Sequence, residues 1–60
     1  MNVLLVYKLN SRTVFFPKAN AVRIQRDARG VDSWVIETAD DVQLFTCANW
    51  HIYIQYNENK

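Results

Sequence analysis

Apolar side chains in this chain recur at every second position, in short runs divided by polar clusters. A period of two is the period of a strand, and it argues against helices, which need apolar residues three and four apart. Val3, Leu5, Tyr7 and Leu9 share one face of the first run, Val3 to Leu9, while Leu4 and Val6 occupy the other. A run apolar on both faces suggests a strand covered on both sides or lying at an interface. Asn10 and Ser11 then suit a tight turn, because both side chains can bond nearby backbone groups. Thr13 to Phe16 forms a second run, stopped by Pro17, which cannot donate to a ladder. The two runs predict a hairpin.

Ala21 to Arg26 alternates Val22 and Ile24 with Arg23 and Gln25. The segment from Asp27 to Ser33 interrupts it, and Gly30 supplies the positive φ that such a loop often needs. Trp34 to Thr38 opposes Trp34 and Ile36 to Val35 and Glu37. Asp40 and Asp41 make the next turn, and Val42 to Thr46 returns with Val42 and Leu44 on one side. After Cys47 to Asn49, the last run aligns Trp50, Ile52, Ile54 and Tyr56 against His51, Tyr53 and Gln55. The one helical candidate is Lys18 to Ala28, and the two-residue spacing of Val22 and Ile24 limits it to a single turn at Lys18 to Ala21. The expected architecture is all-β: one domain over residues 1–60, a small antiparallel barrel or sandwich of five to six short strands, with at most one helical turn. Its size class is that of SH3-like and OB-like folds. Residues 57–60 read as a flexible polar tail. The expected core is Leu5, Val22, Ile24, Trp34, Ile36, Leu44, Ile52 and Ile54, the buried faces of successive strands.

A chain of 60 residues buries only about 60% of the surface its unfolded form exposes. Small domains commonly make up the deficit with disulfides, metals or partner chains. Cys47 is the sole cysteine, so an internal disulfide is impossible, and no Cys and His set makes a four-ligand site. Association with further copies is therefore expected. The apolar stretch Val3 to Tyr7 is far short of the ~20 residues of a spanning helix, and no signal-peptide pattern is present. With a lone thiol, this points to a cytoplasmic protein. A short reading frame of this kind fits an accessory protein of a phage or mobile element.

Charge is sorted along the chain. Residues 1–30 carry six basic side chains (Lys8, Arg12, Lys18, Arg23, Arg26, Arg29) against Asp27 alone. Residues 31–60 carry Asp32, Glu37, Asp40, Asp41 and Glu58 against Lys60. A formal net charge of +1 thus conceals halves of about +5 and about −4. Such a chain can bind an anion on one side or pair head to tail with another copy.

Three constellations bear on chemistry. Cys47 and His51, with Asp40 and Asp41 before them, have the residue types of a nucleophile, base and orienting acid. Four residues of strand separate the first two by roughly 13 Å at ~3.3 Å per residue, and no Gly-rich loop offers an oxyanion hole. The expectation is a small buried Cys47, a surface His51 and no catalysis. Asp40 and Asp41 lack the further oxygens and the bend glycine of a calcium loop, so they read as turn formers, and no metal or cofactor is expected. Lys8, Arg12, Arg23 and Gln25, interleaved with Tyr7, Phe15, Phe16 and Tyr53, form the third set. Basic grooves with aromatic platforms bind single-stranded nucleic acid, but the whole-domain pI of 7.9 is low for such a binder. Phe15 and Phe16 are adjacent, so one ring must face outward, where it can equally cover a protein. Leu4/Leu5, Trp34/Val35, Leu44/Phe45 and Ile52/Tyr53 raise the same point, since apolar patches on soluble proteins mark interfaces. The function expected is a non-catalytic module that binds protein, its own copies included, through residues among Lys8, Arg12, Phe15, Phe16, Arg23, Gln25 and Tyr53. The alternative is a nucleic-acid-binding small barrel using the basic first half.

Overall fold

The two-residue alternation produces six strands in the computed structural model, which describes residues 1–56. They are β1 (Asn2–Tyr7), β2 (Thr13–Phe16), β3 (Ala21–Arg26), β4 (Asp32–Glu37), β5 (Val42–Thr46) and β6 (Trp50–Gln55). The polar tail expected over residues 57–60 lies outside the described residues. The strands form two antiparallel three-stranded sheets, ordered β2-β1-β6 and β3-β4-β5. The chain builds the β1–β2 hairpin, crosses over to lay down the β3-β4-β5 meander, then returns β6 to the free side of β1. The result is sandwich-like, and the barrel is not closed.

Turn chemistry follows the local sequence. Asn10 Oδ1 accepts from the Arg12 N–H at 3.0 Å, and Ser11 takes a left-handed φ of 61°. Leu9, expected to extend the first strand, instead stands exposed in this turn, because the Ser11 N–H bonds back to the Tyr7 carbonyl at 2.8 Å and ends the strand there. Asp27 Oδ1 accepts from the N–H groups of Arg29 and Val31 at 2.8 and 3.0 Å, with Gly30 at φ 84° completing the loop. Thr38 Oγ1 accepts from the N–H groups of Asp40 and Asp41. No helical turn forms at Lys18 to Ala21. Pro17 and Lys18 make a plain turn, and Ala21 already opens β3.

The core lies between the sheets. Val3 and Leu5 from β1, Ile36 from β4 and Ala19 from the β2–β3 connection are buried, with Phe16, Val22, Trp34, Phe45, Trp50 and Ile52 packed around them. Ala19 is fixed by backbone bonds on both sides. Its N–H donates to the Met1 carbonyl, and its carbonyl accepts from the Met1 ammonium, both at 3.0 Å. Phe45 binds the sheets together, edge-on to Phe16 at 5.9 Å and to Trp50 at 5.1 Å between ring centroids. The Trp34 indole N–H crosses from one sheet to donate to the Trp50 carbonyl of the other at 3.2 Å.

Of the expected core, Leu5 and Ile36 are fully buried, and Val22, Trp34 and Ile52 are partly buried against them. Leu44, Ile24 and Ile54 are exposed instead. Leu44 pairs with Val35, whereas Phe45 pairs with the inward Trp34, so the alternation on β5 runs in the opposite sense to that expected. The larger Phe45 ring fills the space between Phe16 and Trp50. Ile24 and Ile54 share the inward rows of Trp34 and Val3, but they sit on edge strands and stay exposed among the described residues.

Candidate functional site

The register of the first sheet decides which apolar residues meet outside the core. Val3 and Leu5 point inward, so Leu4 and Val6 point outward. Leu4 stands directly opposite Phe15 on β2 and Tyr53 on β6. Three large side chains therefore form a level row across the outer face of β2-β1-β6. Phe15 is 57% exposed and Tyr53 59%. Val6 continues the apolar surface one row on, flanked by Thr13 and His51, while Asn2 and Gln55 border the other side. An open depression of about 190 Å³ lies here, lined by Asn2, Leu4, Phe15, Tyr53, Ile54 and Gln55.

The structure separates the candidate residues that the sequence grouped. Phe15 and Tyr53 come together on the outer face of the first sheet. Phe16 turns inward to Phe45, and Tyr7 packs on Trp50 with centroids 4.9 Å apart, so neither is an external platform. Arg23 and Gln25 lie on the outer face of the other sheet, on the far side of the sandwich. Lys8 and Arg12 sit at the β1–β2 turn. Sequence reasoning did not single out Leu4 as the residue joining the two exposed rings. The signal lay in the double-faced run Val3 to Tyr7, but it becomes a site only once the register is known.

The sorted charge of the sequence is partly cancelled in space. The β3–β4 hairpin folds the basic half against the acidic half, and Arg23 Nε meets Glu37 Oε2 at 2.7 Å while Arg26 Nε meets Asp32 Oδ1 at 2.8 Å. Arg29 pairs with Asp27 at 3.2 Å inside the turn. The hydrogen bond from Arg26 holds the Asp32 carboxyl below its usual range, and the Val31 N–H does the same for Asp27. These are solvent-exposed pairs and add little stability individually. Their main effect is to neutralise half of the basic set. Lys8, Arg12 and Lys18 have no ion-pair partner among the described residues.

Cys47 lies in the β5–β6 turn and His51 on the outer face of β6, exposed. Burial, and then the nearby Asp32 charge, push the Cys47 thiol pKa up, with Lys8 opposing. Activated thiols need the opposite shift. Asp41 is held in its turn by Thr38, and among the described residues no group of three or more His, Cys, Asp or Glu is placed to hold a metal ion. Among the same residues no helix is long and apolar enough to cross a membrane. Compared with known proteins, the chain matches no family model, no curated protein and no solved structure.

Proposed function

We propose that this chain is a non-catalytic binding module that acts by protein–protein contact, including association with its own copies, in a reducing cytoplasm. The observation that carries the reading is the uncharged row of Phe15, Leu4 and Tyr53 across three strands. Protein interfaces concentrate aromatic residues and exclude charge at their centres, with a polar rim. Asn2, Gln55, Thr13 and His51 supply such a rim here. The ion pairing of Arg23, Arg26 and Arg29 weighs against nucleic acid, because a stacking platform needs free cations beside its rings.

The test is a panning of random peptide libraries against the immobilised protein and against a variant carrying Phe15→Ser and Tyr53→Ser. Binders that require the two rings are expected, and a library yielding none would remove the protein-binding face. Light scattering across the micromolar range tests self-association, with a mass above the monomer expected. Titration with short oligonucleotides at low salt tests the rival. Binding there that is lost with Lys8→Ala and Arg12→Ala would transfer the function to nucleic acid.

A further inference from the structure

Among the described residues the two sheets leave four strand edges open, and they are not equally guarded. An edge strand is a template for another strand unless charge, proline or a covering group blocks it. On β2, Pro17 follows directly and the strand has four residues. On β3, Arg23 and Arg26 stand along the edge. On β6, the Trp34 indole already occupies the Trp50 carbonyl. On β5, the segment Val42-Gln43-Leu44-Phe45-Thr46 has no charge and no proline. No side chain from the other sheet is recorded on its outward backbone groups among the described residues, and the Thr46 carbonyl is met only by the N–H of Asn49 in the strand's own turn.

Backbone polarity on β5 follows from the bonds at its two ends. The Thr38 N–H bonds to the Asp41 carbonyl and the Cys47 N–H to the Asp32 carbonyl, both at 3.0 Å. Bonded pairs alternate in an antiparallel ladder, so Gln43 and Phe45 face β4 while the N–H and C=O groups of Val42, Leu44 and Thr46 point away from it. The side chains on this outward-bonding set are also bare, with Val42 53% and Leu44 52% exposed.

We infer that β5 is the self-association edge, pairing antiparallel with β5 of a second copy about a two-fold axis at Leu44. This rests on the self-association part of the proposed function. The register is the one that uses every outward group. Leu44 exchanges bonds with Leu44 of the second copy, and Val42 exchanges bonds with Thr46. The Thr46 carbonyl also accepts from the Asn49 N–H at 3.1 Å, and its second lone pair serves the new bond. A two-fold interface must be self-complementary, and the charges at the strand ends meet that condition. Beyond the paired strands, the turn that carries Asp40 and Asp41 comes to lie beside the Cys47 to Asn49 turn of the second copy. Lys8 stands at that turn, its Nζ 3.5 Å from the Cys47 carbonyl. Each end of the paired strands thus brings an acidic turn to a lysine that has no ion pair among the described residues of its own copy, twice over by symmetry. A continuous sheet of β3-β4-β5 from both copies results, with the two Leu44 side chains covering one another.

Sedimentation equilibrium on the whole chain tests this. Leu44→Lys puts two ammonium groups face to face across the axis, and it leaves the β4 ladder intact because Leu44 does not bond to β4. Its dissociation constant is expected to rise by about tenfold or more, with an unchanged circular dichroism spectrum. If Leu44→Lys does not fold, the charge pair supplies the test. Lys8→Asp alone and Asp41→Lys alone weaken the dimer, and the two together restore it. A dimer untouched by Leu44→Lys, or single charge reversals without rescue, overturns the β5 edge. If that dimer is instead lost with Phe15→Ser and Tyr53→Ser, copies associate through the aromatic face and the broader reading stands. A monomer at every concentration overturns this inference together with self-association itself.

Discussion

The two sheets have the same build, three antiparallel strands around an apolar centre, yet they finish their outer faces differently. In β3-β4-β5 the outward residue of the central strand, Val35, is 1% exposed. Arg23 and Leu44 are its cross-strand neighbours, and the Arg23 guanidinium is paired with Glu37, two residues along from Val35. In β2-β1-β6 the equivalent residue, Leu4, is flanked by two rings and remains part of an open surface. A long charged side chain paired at its tip stands beside a buried apolar centre. Two flat rings widen it. A three-stranded sheet cannot be covered on both faces by one other sheet, and these are the two outcomes at its centre: a central residue that is buried, and one that stays part of an open aromatic row.

The largest test of this comparison concerns the shared core, where both sheets should fail alike. Leu5→Ala and Ile36→Ala should each cost about 2–5 kcal/mol, enough to unfold a domain of this size. Chemical denaturation of both variants checks it, and a mild effect from either would make the core one-sided. Next comes the adjacent pair on β2. Phe16→Ala should cost about 3–5 kcal/mol, whereas Phe15→Ala should change stability by less than about 1 kcal/mol. Equal losses would mean that Phe15 is not a free surface ring.

The contrast between the outer faces is sharper still at the two central strands. Val35→Ala removes two buried methyl groups, at about 0.8 kcal/mol each, and Leu4→Ala should cost less despite removing more carbon. The reverse order in melting temperature would erase the distinction between a buried and an open central residue. Trp34→Phe deletes the indole donor that joins the sheets, and it should cost about 0.5–1.5 kcal/mol on top of the lost ring volume.

The smallest effect is one of pH and belongs to the β3-β4-β5 sheet and its turn. Asp27 and Asp32 are held below the ordinary carboxylate value of 3.8 by hydrogen bonds that act on their charged forms. A lowered folded pKa gives stability that is present above the unfolded value and lost as pH falls through the folded one. Asp32→Asn should therefore melt slightly below the wild type at neutral pH, and the gap should close in acid. A gap that widened in acid would reverse the assignment.

Much of the strand pattern was legible. Thr13–Phe16, Ala21–Arg26 and Val42–Thr46 coincide with the observed strands, because each is bounded by a residue with one strong preference, such as Pro17 or Asp41. The face of β5 was not legible. Val42, Leu44 and Phe45 offer apolar groups to both sides, and only the space beside Phe16 and Trp50 selects the ring. The opposed outer faces were equally hidden, since nothing local says that Phe15 and Tyr53, far apart in sequence, both stand beside Leu4. The charge sorting was visible, but its meaning changed. Read along the chain it suggested a surface of two signs, and a hairpin at Asp27 to Val31 turns much of it into neighbouring pairs.

The hydrogen bond from Trp34 to the Trp50 carbonyl gives the molecule a built-in optical gauge. One tryptophan belongs to each sheet, and Trp50 also touches Tyr7 and Phe45. Any process that parts the sheets while leaving their strands intact must wet both indoles, moving emission to longer wavelength while the far-ultraviolet signal stays constant. Whether the sandwich opens before its strands dissolve can thus be read from light alone, with no label added.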